Sequence, residues 1–150
     1  MMNLRIIPDV VEELTIHGLR DNDSVLDGAN LMDRHDISAV VIFDEDGKLT
    51  GIVTERDLAR RVLADGLDPE TTPLSDVMTD NPDTLSPDDA VYDALELMRT
   101  RRYRHLPVVK ESKIVAMVSI RDLYESVQDA LEQSMRETEA LVFSGDNNNQ

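Results

Sequence analysis

The chain matches itself. Asp23 to Phe43 runs parallel to Asp89 to Val109 at an offset of 66, and Gly51 to Leu58 runs parallel to Ala116 to Leu123 at an offset of 65. Nine of these 29 aligned pairs are identical: Asp23/Asp89, Val25/Val91, Asp27/Asp93, Leu31/Leu97, Met32/Met98, Val53/Val118, Arg56/Arg121, Asp57/Asp122 and Leu58/Leu123. A self-match of this length means two copies of one supersecondary unit, so the fold must give both copies near-equivalent surroundings. The one-residue slip falls in a turn.

Each copy carries the same local signals. Val25, Gly28, Ala29 and Met32 fall at i, i+3, i+4 and i+7, as do Val91, Ala94, Leu95 and Met98, which predicts one amphipathic helix per copy. Ser86-Pro87-Asp88-Asp89 supplies an N-cap, a proline at the first helical position and an acid at the third, and the second copy's helix is expected to start there. Ala39 to Phe43 and Leu106 to Val109 are apolar runs of strand length. Each is followed by a polar turn, Asp44 to Gly47 or Lys110 to Lys113, and by a second apolar run, Leu49 to Val53 or Ile114 to Val118. These second runs lead into Thr54-Glu55-Arg56-Asp57-Leu58 and Ser119-Ile120-Arg121-Asp122-Leu123, which open new helices. Both copies thus read helix, strand, strand, helix. The expected division is a first unit at 1–66 with its N-terminal segment, a breaker-rich linker at 67–73, a second unit at 74–130, and at 131–150 the end of a long helix with a tail. Leu123, Val127, Leu131 and Met135, spaced by four along that helix, can serve either as core or as a contact between molecules. The polar stretch from Ser144 to Gln150 is expected to be disordered.

Charge narrows the partners. With 31 acids against 15 bases, the net charge of −16 repels nucleic-acid backbones and anionic membrane surfaces, so neither is expected as a partner. No cysteine is present, which excludes disulfides, thiol nucleophiles and cysteine zinc motifs and fits a reducing compartment. The N-terminus lacks an apolar stretch of signal-peptide length, and no segment approaches the roughly 18 apolar residues of a membrane span. The expectation is a soluble, unprocessed, cytoplasmic protein.

The strand-to-helix corners carry the chemistry. Gly51 to Asp57 and Ala116 to Asp122 share the pattern small, apolar, apolar, hydroxyl, any, Arg, Asp. Thr or Ser followed three residues later by an acid is also a capping box, which needs no ligand. The same geometry suits a nucleotide: a hydroxyl at a helix start can donate to phosphate, and a carboxylate one turn on can accept from ribose hydroxyls. Gly51 would let a ligand approach the backbone closely.

At these corners the sequence resembles the tandem CBS-domain pair, the Bateman module, over roughly Val10 to Ala130. The resemblance rests on the repeat length and the helix-strand-strand-helix order. It rests also on Ser86-Pro87-Asp88-Asp89-Ala90-Val91 with Ala94, Leu95 and Met98, on Arg104-His105-Leu106-Pro107-Val108-Val109, and on the two corners. It implies an α/β (α+β) fold of two CBS motifs, each a small sheet packed against two helices, related by pseudo-two-fold symmetry, and it implies adenosine ligands. Carried over residue by residue, Thr54 and Ser119 would face phosphate, and Asp57 and Asp122 would hold ribose. Val40, Val41 and Ile42, with Leu106, Pro107 and Val108, would contact adenine. Two departures make the sites unequal: Ala116 replaces the usual glycine, and Thr15-Ile16-His17-Gly18 stands where the second copy has Asn81-Pro82-Asp83-Thr84.

Arg99, Arg101, Arg102, Arg104 and His105 form a basic block without an acid. Cations at a helix C-terminus account for part of it, and phosphate binding by Arg101, Arg102, Arg104 and His105 is the functional reading. Arg56 and Arg121 are weaker candidates of the same kind. His17, His35 and His105 are scattered, so no metal site is expected. Asp21 to Asp23 and Asp44 to Gly47 lack the remaining ligands of a calcium loop. No nucleophile stands with a matched base, and Asp57 and Asp122 repeat one context where catalytic carboxylates need environments that differ, so the chain is expected not to be an enzyme. The expected function is a regulatory module binding AMP, ADP or ATP between its repeats, probed by a protein partner in trans and itself a homodimer. NAD or S-adenosylmethionine as ligand, or a ligand-free dimerisation or adaptor role, are the alternatives.

Overall fold

The computed structural model describes residues 3–146. Strand β1 (Gly18–Arg20) leads to helix α1 (Val25–His35), then to β2 (Ala39–Phe43) and β3 (Leu49–Thr54). Helix α2 (Glu55–Asp57) winds on through Leu58–Leu63. A short strand β4 (Thr79–Asp80) precedes the second copy of the unit: α3 (Val91–Arg101), β5 (His105–Lys110), β6 (Lys113–Ser119) and α4 (Ile120–Asp146). The first sheet has the order β1-β2-β3-β4, with β1 parallel to β2 and the other pairings antiparallel. The second is the β5-β6 hairpin, to which Leu85 adds a single parallel bridge at Val108. That bridge repeats the pairing of Leu19 with Ile42 in the first sheet, both partners displaced by the repeat offset.

Local chemistry sets the helix starts. Ser24 and Asp27 close a capping box on α1, the Asp27 amide donating to the Ser24 hydroxyl at 3.1 Å and the Ser24 amide to Asp27 Oδ2 at 3.2 Å. Val25, Gly28 and Met32 then face the core, as their spacing predicts. Helix α3 starts later than expected. Ser86 to Asp89 forms a separate turn, and the helix begins at Val91 because Ala90 is held extended by an antiparallel bridge to Arg5, while the Val91 amide donates to Leu4 O at 3.0 Å. Tertiary pairing overrides the local N-cap signal. At the other end, α4 runs through Ser144 to Asp146, into the stretch expected to be patternless; residues 147–150 of that expected tail lie outside the described residues.

Two cores result, and each is completed by the segment that leads into the other unit. Ile6, ahead of the first unit, is fully buried among Val91, Met98, Leu106 and Leu123 of the second. Leu74, at the very start of the second, is fully buried among Val25, Met32, Val40 and Val53 of the first. Backbone bonds repeat the exchange: Ile6 N donates to Asp89 O at 3.0 Å and Leu74 N to Asp23 O at 2.8 Å. Leu14 N likewise reaches Val115 O at 2.9 Å on β6, where Asn81 N reaches Thr50 O at 3.0 Å on β3. This reciprocity is what an approximate two-fold axis between the units requires. Each buried side chain of this size contributes about 1.5–3 kcal/mol, so neither core is complete without its neighbour's segment.

The apolar stripe on α4 divides. Leu123 is fully buried and Val127 packs at the edge of the second core, whereas Leu131 and Met135 are 49% and 64% exposed. Among the described residues, no helix is long and apolar enough to cross a membrane.

Candidate ligand site

Both corners have the same construction. Thr54 ends β3 in an extended conformation, and the next amide, of Glu55, donates to Ser38 O at 3.0 Å. At the second corner the Ile120 amide donates to Arg104 O at 2.8 Å. The backbone then turns so that the acid three residues on folds back. The Thr54 amide donates to Asp57 Oδ2 at 2.9 Å and the Thr54 hydroxyl to the same oxygen at 3.1 Å, while the Asp57 amide donates to Thr54 Oγ1 at 3.3 Å. Ser119 and Asp122 repeat this with amide bonds of 2.9 and 3.1 Å. Each corner is therefore a complete capping box. In the first, Asp57 Oδ1 is left over: the Asp57 side chain is only 16% exposed, and this oxygen faces Arg61 Nε at 3.7 Å.

Beside that first corner lies a cavity of about 540 Å³, within the range that holds a small ligand. One wall is the first unit's Ile52, Thr54, Glu55, Arg56, Asp57, Arg60 and Arg61, with Ser38. The opposite wall is the second unit's Arg101 to Leu106, and Thr79, Pro82 and Asp83 close the edge. Six guanidiniums thus meet three carboxylates, in a chain whose acids outnumber its bases two to one. Arg61 is anchored by bonds to Val77 O at 3.0 Å and Met78 O at 3.3 Å, and Arg101 lies 3.8 Å from Asp83. Arg56, Arg60, Arg102 and Arg104 have no ion-pair partner among the described residues. Such an uncompensated cluster is an anion site in waiting, since guanidinium forks match phosphate oxygens.

His105 spans the two units. Its Nε2 lies 2.8 Å from the Ser38 hydroxyl across the cavity floor. Burial pushes its pKa below the ordinary histidine value; Asp122 and Glu55 pull the other way, and Arg104 adds to the depression. The neutral ring is favoured.

A family model described as CBS domain matches residues 7–64 and 74–129. The chain belongs to the CBS-domain family. As a tandem CBS pair it is 32% identical over 128 residues to the CBS domain-containing protein CBSX3, mitochondrial, of Arabidopsis thaliana, covering 83% of this chain and 62% of that one. A further CBS domain-containing protein of the same plant, CBSCBSPB2, is 36% identical over 125 residues, 23% of its length, so the pair spans less than two thirds of these relatives. A solved CBS-domain structure from Burkholderia ambifaria MC40-6 superimposes with a TM-score of 0.72 at 36% identity, over 75% of this chain and 82% of that one. The CBS domain pair of protein MJ0100, solved in complex with 5′-methylthioadenosine and S-adenosyl-L-methionine, gives 0.76 at 25% identity, over 86% and 99%.

Within this CBS pair the expected site residues separate. Thr54, Arg56, Asp57, Arg101, Arg102, Arg104, His105 and Leu106 meet around the cavity. Ser119 and Asp122 form the second corner and do not line that cavity, although Asp122 lies near enough to His105 to act on its charge, and Arg121 is 85% exposed and bonded to Glu125 at 3.2 Å. Val40 and Ile42 are fully buried in the first core, Val108 in the second, and Val41 and Pro107 are buried as well. Strands covered on both faces leave no open face for adenine at these positions. Of the six, Leu106 alone reaches the cavity.

Gly51 and Ala116 also correct an expectation. A Cβ on Gly51 would collide with Met78 Sδ and lie 3.2 Å from Thr79 O, so the close approach there is made by β4, not by a ligand. Ala116 lies buried in the second core. Arg60, Arg61 and Tyr103 line the cavity without having been singled out. Arg60 and Arg61 stand three and four residues after Asp57, a spacing that puts them on its helix face; Tyr103 lies inside the arginine block and carried no signal of its own.

Proposed function

We propose that this CBS pair is a non-catalytic regulatory module that binds an adenine nucleotide, AMP, ADP or ATP, between its repeats and acts on a partner in trans. One observation carries the reading: a hydroxyl-carboxylate corner shares a single cavity with four arginines that have no ion-pair partner among the described residues, Arg56 and Arg60 on its own wall and Arg102 and Arg104 on the opposite one. Asp57 Oδ1 is the acceptor for ribose hydroxyls, the arginines take phosphate, and the half-buried Tyr103 offers the apolar surface for adenine, with the edges of the buried Ile52 and Leu106 behind it. The adenosyl ligands of the MJ0100 pair support the base-and-ribose half of this assignment. A ligand touching both walls changes their relative packing, and a partner reading that surface senses it with a coupling of about 1–3 kcal/mol.

Differential scanning fluorimetry with AMP, ADP, ATP, NAD and S-adenosylmethionine tests the reading. A nucleotide held at one hundred times its dissociation constant adds about 2.7 kcal/mol of stability, which is about 5–10 °C for a chain of this size. The second reading, a ligand-free dimerisation or adaptor module, is favoured by the fact that both corners close on themselves as caps. Flat melting curves at millimolar ligand would select it.

A further inference from the structure

The two corners share a backbone geometry and differ in charge. Across the approximate two-fold, Arg60 stands where the second unit has Glu125, and Arg102 stands where the first unit has Asp36. Arg102 and Asp36 occupy the same left-handed position at the ends of α3 and α1, with φ of 60° and 51°, so the equivalence is structural as well as numerical. Arg56 alone meets another arginine, Arg121, and that one is bonded to Glu125 at 3.2 Å. Arg104 lines the cavity at the first corner, where its counterpart by the repeat offset is the neutral Ser38, while its backbone carbonyl accepts the Ile120 amide at the second. By this equivalence the second corner carries Asp122, Asp36 and Glu125 with Arg121 as its one arginine, whereas the first sets six arginines against Glu55, Asp57 and Asp83, of which Glu55 and Asp83 stand where the second has Ile120 and His17. A phosphate would be attracted at one and repelled at the other.

We propose that the chain takes one phosphate-bearing adenosyl ligand, at the first corner alone, with Arg56, Arg60 and Arg102 selecting for phosphate over uncharged or cationic adenosyl compounds. This rests on the nucleotide reading and narrows it to one site and one charge class. Asp57 and the apolar wall recognise the nucleoside part, so the arginines act on the phosphate part only.

Isothermal titration of the full chain with ADP, adenosine and S-adenosylmethionine tests it. One ADP binds per chain, and adenosine and S-adenosylmethionine bind more weakly by about tenfold or more. Asp57→Asn weakens ADP by about ten- to a hundredfold and Asp122→Asn by less than about twofold. The double variant Arg60→Glu with Arg102→Asp, which installs the second corner's residues, loses ADP by about tenfold or more yet holds adenosine within about twofold. That contrast is one that mere unfolding does not produce. Two ADP per chain, ADP binding lost in Asp122→Asn but kept in Asp57→Asn, or S-adenosylmethionine bound as tightly as ADP overturns the single-site inference and leaves the nucleotide reading standing. Silence from all three ligands overturns both.

Discussion

The Asp57 carboxylate uses Oδ2 to hold the Thr54 amide and hydroxyl, which leaves Oδ1 as its free acceptor. Its structural and its binding roles can therefore be separated by substitution. Asp57→Ala removes the cap and is expected to cost about 1 kcal/mol, about 2–5 °C in melting temperature. Asp57→Asn keeps a carbonyl oxygen for the same amide and should melt close to the parent. Thermal denaturation of both without ligand checks this. Gly51→Ala should be worse than either, at about 1–3 kcal/mol, because its methyl group meets Met78 and the Thr79 carbonyl on β4. His105 adds a pH dependence. Its folded pKa lies below the unfolded value near 6.5, since burial disfavours the charged ring. The unfolded chain consequently binds more protons in the window between the two values. Stability is full above the unfolded pKa and falls as pH drops through that window. His105→Gln should flatten this part of the melting-temperature profile between about pH 7 and pH 5.

At the scale of elements, α4 shows what a spacing can and cannot say. Leu123, Val127, Leu131 and Met135 lie on one face because of their period, but the period does not say what that face covers. Leu123 packs in the second core with residues of α3, β5 and β6, and Val127 at its edge, whereas Leu131 is 49% exposed. Leu123→Ala should cost about 2–5 kcal/mol, whereas Leu131→Ala should stay within about 0.5 kcal/mol; urea denaturation of the two variants tests the contrast. The hairpin strands, the faces of α1 and α3 and both corner capping boxes were legible in the sequence because each depends on neighbours a few residues away, whereas the short strands β1 and β4, which exist through their pairing with β2 and β3, were not. The start of α3 was not. Its N-cap signal at Ser86 loses to Arg5 and Leu4, which lie more than 80 residues distant. The adenine wall was hard to place for a related reason: the side chains of Val40, Ile42 and Val108 are buried in the two cores, and one-dimensional pattern cannot tell a ligand-facing apolar residue from a core one.

For the whole molecule, the repeat revealed two units and their equivalence, but not that their leading segments are exchanged. Nor could it bring the arginines of one unit to the corner of the other, since that pairing depends on how the units pack. The exchange makes a prediction about cooperativity. Ile6→Ala should remove about 2–5 kcal/mol and lower one shared transition, with calorimetric and van't Hoff enthalpies agreeing. Two separate transitions would mean that the units are less interdependent than Ile6 and Leu74 imply.

Burial of Ile6 in one core and Leu74 in the other has a practical corollary for dissection. A proteolytic nick in the exposed stretch at 64–70 leaves two polypeptides, each holding the plug that its fellow lacks. Expressed separately, each should remain unstructured. Mixed, they should reassemble into one non-covalent heterodimer, so this chain is a natural template for a split reporter whose halves report on their own encounter.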